Sequence, residues 1–111
     1  MKNQKLNLED YQKLVDKLLS NPDLSVKYFP PFQIINQMAE EVGEVAREVA
    51  HLHGHKKKKV GEKTEGLEAE LGDLLFAMIC LANSEGLSLE RGLQMKLEKF
   101  KKRDVARFRK K

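Results

Sequence analysis

The sequence lacks the features that several classes of protein require. It has one cysteine, so an internal disulfide is excluded, and it has no tryptophan. Its longest apolar run, from Leu74 to Ala82, is far shorter than the roughly 20 residues of a membrane-spanning helix. Met1 to Lys5 are not followed by an apolar signal segment. These absences predict a cytoplasmic protein without membrane contact, in which Cys80 is a buried structural thiol.

The motifs of several common enzyme classes are missing too. No glycine-rich phosphate loop, no set of serine, histidine and aspartate and no catalytic cysteine can be recognised. Alternating patterns are absent and β-branched residues are few, which argues against strands. The 111 residues are 41% apolar and 34% charged. This composition excludes a disordered chain, and the length predicts a single domain over residues 1–111.

The charge that is present is unevenly distributed. The net charge is +4, but residues 96–111 carry nine Lys and Arg against two acids, whereas residues 1–95 carry twelve against fifteen acids. A basic tail can hold the phosphates of a nucleotide or of a nucleic acid. It is also typical of the solvated end of a last helix, and the composition alone leaves both interpretations open.

Apolar residues at helical spacing predict four helices. The first three span residues 8–19, 31–52 and 67–84, and the fourth follows Ser88 as its N-cap and continues to about residue 108. The centre of the third helix is apolar all the way round, so it needs cover on every side. Three other helices from a chain of this size could leave part of it bare, which predicts an all-α four-helix bundle that is completed by dimerisation.

Two pairs of acids lie on the second and third predicted helices. Glu41 and Glu44 are about 60° apart around one helix, as are Glu70 and Asp73 around the other. Each pair borders an apolar stripe, where a carboxylate is costly unless it is paired or bound to a metal. An acidic run on one helix is by itself typical of a solvated face. Two such pairs on packed helices favour a shared hard cation such as Mg²⁺.

A glycine lies inside each acidic motif. Gly43 and Gly72 each cost up to about 1 kcal/mol relative to alanine in a helix interior. The sequence therefore predicts that the two helices approach closely at the acids, which would explain why both positions lack a side chain.

The order of the motifs over about residues 29–108 resembles the MazG-like nucleotide pyrophosphohydrolases. It consists of EExxE, a polar loop, ExxD, an apolar helix and Lys-Phe-x-x-Arg. The resemblance implies a helical bundle that binds Mg²⁺, with Mn²⁺ as a substitute, and that assembles as a homodimer or homotetramer. It also implies hydrolysis of nucleoside triphosphates, often deoxynucleotides, to the monophosphate and pyrophosphate.

The matching motif positions imply roles for particular acids. The implied metal ligands are Glu41, Glu44, Glu70 and Asp73. Glu40, Glu41 and Glu44 are the implied catalytic acids. Either Glu41 or Glu44 accepts a proton from the attacking water, or Glu40 does so through a second water.

Basic residues are expected to hold the phosphates of the substrate. Lys99 and Arg103 are the charged positions of the Lys-Phe-x-x-Arg segment, and arginine suits bidentate phosphate contact. Members of the family often have Asn two residues before that lysine, where this sequence has Leu97. Lys56 and Lys58 lie in the polar loop between the second and third helices. They reach the triphosphate if the loop closes, and otherwise they are solvated loop lysines.

Two other functions are compatible with parts of the sequence. A small helical nucleic-acid-binding module would use the basic tail and would bind with strong salt dependence. A non-enzymatic helical interaction protein would use the apolar helix faces. Both leave the four acids without a role, and acids repel a polyanion, so nucleic acid is not an expected partner. The sequence favours the enzyme.

Overall fold

The computed structural model describes residues 5–54, 66–104 and 107, and these residues contain helices and no strand. The predicted all-α class is therefore confirmed. Four α-helices follow one another along the described chain: α1 (Leu8–Leu19), α2 (Pro31–His53), α3 (Leu67–Ser84) and α4 (Leu89–Lys99). Among the described residues, no helix is long and apolar enough to cross a bilayer.

The last helix differs from the prediction of one continuous helix. The α-helical part ends at Lys99, and a short π-helical segment, Phe100–Asp104, follows it. The predicted continuation to residue 108 lies mostly outside the described residues. Because a π-helical turn shifts hydrogen bonding from the fourth to the fifth residue, it changes the direction of the side chains that follow.

Side chains near the helix starts accept hydrogen bonds from backbone N–H groups that have no acceptor within the helix. Before α1, the backbone N–H of Asp10 donates to Asn7 Oδ1 over 2.7 Å, and the Asp10 carboxylate accepts from the Asn7 N–H over 3.1 Å. Before α4, Ser88 Oγ accepts from the backbone N–H of Arg91 over 3.1 Å, so the predicted N-cap is confirmed. Such caps typically stabilise a helix by about 1 kcal/mol.

The second and third helices pack together as a pair, and the first helix packs against this pair through α3. The most extensive packing is between α2 and α3, and α1 packs on both α3 and α4. The two central helices run antiparallel, since residues early in α2 face residues late in α3. Among the described residues, the apolar side chains that are buried are few: Val15, Ile34, Ala77, Ile79 and Ala82.

A buried glutamine joins α1 to the turn between α3 and α4. Gln12 is 6% exposed. Its amide nitrogen donates to Asn83 Oδ1 and to the Leu87 carbonyl, both over 2.9 Å, and its amide oxygen accepts from the Leu89 N–H over 2.8 Å. Asn83 returns a bond of 2.9 Å to the Gln12 carbonyl. We call this set of bonds the Gln12 clasp, and it fixes where α4 starts.

Large apolar side chains remain exposed on each of the four described helices. Phe32 at the start of α2 is 87% exposed, and every residue from Arg91 to Arg103 is exposed. The Cα radius of gyration is 17.7 Å, whereas a compact chain of this length has about 13 Å. The central residues of α3 are also incompletely covered, with Leu71, Leu75 and Phe76 between 42% and 48% exposed. One copy of the chain therefore leaves large apolar surfaces in water.

Candidate metal centre

Three of the four predicted metal ligands come together between α2 and α3. Glu41 on α2 and Glu70 and Asp73 on α3 each offer a carboxylate oxygen, and these oxygens lie within 4.8 Å of one another. Glu70 is only 9% exposed, Glu41 is half-buried and Asp73 faces solvent. The group forms because the i, i+3 spacing puts Glu70 and Asp73 on one side of α3, opposite the side of α2 that carries Glu41.

The chemistry of this acidic group fits a hard divalent cation. Three carboxylates so close repel one another, and burial adds a cost to the charge of Glu70 that a bound cation would offset. Oxygen ligands suit Mg²⁺, whose octahedral shell has a radius of about 2.1 Å. Oxygens already within 4.8 Å could reach such a shell by small side-chain rotations, without movement of the helices.

Glu44 and Glu40 are not members of the three-acid group. Glu44 lies one turn along α2 from Glu41, and its carboxylate is 3.9 Å from the guanidinium of Arg47. Both side chains of that pair are about half exposed, so the ion pair contributes little and does not hold Glu44 firmly in place. Glu40 is exposed on α2.

Two of the basic residues that were predicted to hold phosphates, Lys99 and Arg103, are not gathered at the acids. Lys99 and Arg103 are exposed on α4 and on the π-helical segment. α4 packs on α1, while the acids belong to the α2–α3 pair. Lys56 and Lys58 lie outside the described residues.

Glu48 is a buried acid of α2 that was not among the predicted metal ligands or catalytic acids. It is 2% exposed and lies seven residues after Glu41, on nearly the same side of α2. Glutamate is almost never so buried unless its charge is paired. The seven-residue spacing was a signal in the sequence, but it did not show which side of α2 would be covered.

The predicted close approach of helices at the two glycines is wrong. A Cβ atom placed at Gly43 or at Gly72 would meet no atom within 4 Å, and both positions are exposed. The acids point between α2 and α3, whereas the glycines are on outward-facing sides. Contact between these two helices does not require either glycine.

A hydrogen-bonded tyrosine fixes the segment that precedes α2. The Tyr28 hydroxyl donates to Asp16 Oδ1 over 2.5 Å and accepts from Asn83 Nδ2 over 3.0 Å, and Lys27 Nζ is 3.2 Å from the Asp16 carboxylate. Burial raises the pKa of Tyr28 to about 12, helped by the bond to Asp16. The bonds from Tyr28 and Lys27 lower the pKa of Asp16. These bonds hold Tyr28 in a neutral form beside the end of α3.

Cys80 has the properties of a structural thiol rather than of a nucleophile. It is free and half-buried on α3, and desolvation raises its pKa. A raised pKa leaves less of the thiolate, which is the reactive form.

The sequence of motifs and the fold agree with a known family. The family model of the MazG nucleotide pyrophosphohydrolase domain matches residues 29–108, which include α2, α3, α4 and the three acids. The chain therefore belongs to the MazG nucleotide pyrophosphohydrolase family, and it is an enzyme of the pyrophosphohydrolase class. This confirms the resemblance that the acidic motifs indicate.

Individual relatives are similar over nearly the whole chain. The sequence is 39% identical over 104 residues to the uncharacterized protein YpjD of Bacillus subtilis strain 168, which covers 94% of this chain and 92% of YpjD. The crystal structure of the putative pyrophosphatase YpjD from Bacillus subtilis has a TM-score of 0.76 at 38% identity, covering 87% of this chain and 97% of that one. The crystal structure of the Bacillus-conserved MazG protein, a nucleotide pyrophosphohydrolase, has a TM-score of 0.75 at 36% identity, covering 90% and 95%.

Proposed function

We propose that this protein is a single-domain, cytoplasmic, Mg²⁺-dependent enzyme that hydrolyses nucleoside triphosphates, including deoxynucleotides, at the α-phosphorus. The products are the nucleoside monophosphate and pyrophosphate, and the role is to clear nucleotides from the pool. The observation that carries the proposal is the group of Glu41, Glu70 and Asp73, whose oxygens lie within 4.8 Å of one another inside a MazG domain. Mn²⁺ is the expected substitute, because it also prefers oxygen ligands.

The acids have two roles in the proposed reaction, which are metal binding and acceptance of a proton. Glu41, Glu70 and Asp73 would hold the metal, and Glu44 would join them by leaving its weak pair with Arg47. A bound divalent cation would neutralise charge on the phosphates and lower the pKa of a water. A glutamate must then accept the proton of the attacking water. We assign this to Glu41 or Glu44, or to Glu40 through a second water.

The phosphates require positive charge that the three-acid group does not have. We assign phosphate contacts to Lys99 and Arg103, and to Lys56 and Lys58 of the loop between α2 and α3. In a single chain α4 packs on α1, so Lys99 and Arg103 would most readily reach the acids of another copy. A homodimer or homotetramer would supply this arrangement and would also cover the exposed apolar residues.

Product analysis tests the proposed reaction. After removal of metal with EDTA, the protein is incubated with each of the common ribo- and deoxynucleoside triphosphates, with and without Mg²⁺ or Mn²⁺, and the products are separated by ion exchange. We expect monophosphate and pyrophosphate only when metal is added. Orthophosphate together with a diphosphate would refute attack at the α-phosphorus.

Single substitutions test the acidic group. Glu70→Gln and Asp73→Asn should each lower turnover on the order of 10²-fold or more, because each keeps the shape of a ligand and removes its charge. Glu68→Gln is the matched control, since Glu68 is an exposed glutamate on α3 outside the group. Normal turnover in Glu70→Gln would end the metal-site proposal.

The same variants predict a distinctive response of stability to metal. Mg²⁺ should raise the melting temperature of the wild type, because a ligand that binds only the folded state stabilises it. Glu70→Gln and Asp73→Asn should gain less from Mg²⁺. Without metal, both should be as stable as the wild type or slightly more stable, because one of three repelling charges is removed. Lower stability of both metal-free variants would contradict this account.

A further inference from the structure

Arg47 is the only lysine or arginine on the two helices that carry the three-acid group. α2 and α3 together contain seven acids, which are Glu40, Glu41, Glu44, Glu48, Glu68, Glu70 and Asp73. A nucleoside triphosphate carries several negative charges of its own, so these helices repel it unless cations offset the charge. The helices of the site supply one side chain with a permanent positive charge for this purpose, and it is Arg47.

The two flanks of α2 differ in polarity. At about 100° per residue, Glu41 is near the centre of the side of α2 that faces α3. One flank carries Val42 and Val49, which are 54% and 41% exposed. The other flank carries Glu44 and then Arg47, which are about 60° and 120° around the helix from Glu41. Phosphates would lose hydration against the apolar flank without gaining a partner, so the polar flank is the side on which a polyphosphate chain can extend from the acids.

The polar flank stays open when a second copy of the chain covers the apolar residues of α2. Arg47 is about 140° around the helix from Val42 and about 160° from Val49. A partner that packs on these valines therefore lies on the far side of α2 from Arg47. The side chain of Arg47 is 45% exposed in a single chain, and assembly through the apolar flank does not remove that access.

The direction of the Arg47 side chain brings its guanidinium back towards the acids. Side chains on a helix lean towards its N-terminus and lie over the residues three and four positions earlier. For Arg47 these residues are Glu44, whose carboxylate is 3.9 Å from the guanidinium, and Gly43. A Cβ atom placed at Gly43 would meet no atom within 4 Å, so the space beside the guanidinium is open to a ligand.

The contact between Arg47 and Glu44 is weak enough to be exchanged for another. Its length of 3.9 Å exceeds that of a hydrogen bond, and both side chains are about half exposed, so water screens the pair. A phosphate is a stronger partner, because a guanidinium can donate two parallel, charge-assisted hydrogen bonds to its oxygens. Little stability is lost when Arg47 turns from Glu44 to a phosphate.

We propose that Arg47 is a phosphate-binding residue that exchanges partners when the substrate binds. Before binding, its guanidinium faces the carboxylate of Glu44. When Glu44 turns towards a divalent cation held with Glu41, the guanidinium pairs with non-bridging oxygens of the triphosphate instead. The exchange replaces one ion pair by another and breaks no covalent bond. It rests on the proposed function, because it requires the phosphates to lie beside the acids.

Calorimetry with a polyphosphate that has no base tests the role of Arg47. The full-length protein is titrated with Mg²⁺ alone and, at saturating Mg²⁺, with inorganic tripolyphosphate. Arg47→Gln should weaken tripolyphosphate binding on the order of 10-fold, through the loss of charge-assisted hydrogen bonds. Its affinity for Mg²⁺ alone should be unchanged or up to about five-fold higher, because a cation beside the acids is removed. Arg47→Lys should lose less tripolyphosphate affinity than Arg47→Gln, because lysine keeps the charge without the planar fork.

A matched control and a double-mutant cycle separate direct contact from indirect effects. Arg91→Gln is the control, since Arg91 is an exposed arginine of α4, outside the α2–α3 pair, and it should bind tripolyphosphate within about two-fold of the wild type. In a Glu44→Gln background, Arg47→Gln should again weaken tripolyphosphate binding by at least as large a factor. An effect of Arg47→Gln that disappears in this background would overturn the proposal, because Arg47 would then act only through Glu44. Weaker binding of Mg²⁺ alone to Arg47→Gln would overturn it too.

The role of Arg47 and the proposed function fail in distinguishable ways. If triphosphates are hydrolysed to monophosphate and pyrophosphate but Arg47→Gln binds tripolyphosphate like the wild type, the role of Arg47 is wrong and the activity stands. If tripolyphosphate binding depends on Arg47 but no triphosphate is hydrolysed, Arg47 stands as a polyphosphate-binding residue and the activity is wrong.

Discussion

Asp16 accepts hydrogen bonds from Tyr28 and Lys27, and this makes stability depend on pH. The pKa of Asp16 is lowered in the folded protein, so the ionised carboxylate contributes stability that is present above its ordinary pKa of 3.8 and is lost as pH falls through the lower folded value. Asp16→Asn should therefore be less stable than the wild type at pH 7, by about 1 kcal/mol or less because the site is half exposed.

The difference in the free energy of unfolding between the wild type and Asp16→Asn should shrink as the pH falls below 3.8. Urea unfolding of both proteins, measured without metal from pH 7 to pH 2.5, checks this, because the other acids are common to both and cancel. The variant Tyr28→Phe tests how stability depends on pH in the alkaline range. The pKa of Tyr28 is raised to about 12, so its contribution to stability is fully present below the ordinary pKa of 10.0 and is lost as the pH rises through the folded value of about 12. A constant difference between wild type and Asp16→Asn at all pH values would contradict the assignment.

The sequence predicts the position of some functional side chains but not the burial or exposure of others. Glu41, Glu70 and Asp73 come together as expected, because their spacing on two packed helices is fixed by helical geometry. The burial of Glu48 and the exposure of Gly43 depend on which side of α2 meets a neighbour. The periodicity of a single helix does not contain that information.

Alanine substitutions at the two outward-facing glycines are expected to stabilise α2 and α3. Gly43→Ala and Gly72→Ala should each raise the free energy of unfolding by up to about 1 kcal/mol, because the new methyl group enters open space and alanine favours the helix. Thermal and urea unfolding measure the effect. Gly54→Ala is the contrasting control, since its Cβ would lie 2.8 Å from the Ala50 carbonyl oxygen, and it should destabilise.

Loss of stability in Gly43→Ala or Gly72→Ala would show that another copy of the chain covers that glycine. The same measurement therefore reports on assembly if the prediction fails.

Whole elements were predicted well where local signals mark their ends. α1 and α3 begin and end at the predicted residues, and α2 ends one residue later than predicted. Asn7, Pro31 and Ser88 mark three of the four helix starts with residue types that suit those positions. The π-helical segment was not predicted, because its bonds depend on small differences in backbone geometry that composition does not encode.

The whole molecule should be a dimer or larger in solution. The exposed apolar side chains of α2, α3 and α4 would otherwise remain in water, and burying them favours association. Light scattering at micromolar concentration should give a multiple of the chain mass of 12.8 kDa. Leu97→Glu, which places a charge in the exposed apolar stripe of α4, should shift the mass towards the single chain if this stripe is part of the interface.

A mass of 12.8 kDa for the wild type would refute the proposed assembly. Lys101→Glu is a suitable control for the change of charge, because Lys101 is exposed and is not apolar. The sequence predicted the need for cover on α3, but it did not predict that α4 would lie apart from the α2–α3 pair. That position depends on contacts of α4 with α1, which are distant in the sequence.

The Gln12 clasp also has a consequence for the order in which the chain folds. Its bonds join residues that are 71 to 77 positions apart, so they close a loop that contains both acid-bearing helices. Closing so long a loop is entropically costly before the intervening chain is ordered. The α2–α3 pair should therefore form first, with α1 docking late. In the native state, α1 and the start of α4 should open together as one cooperative unit while the acids stay in place.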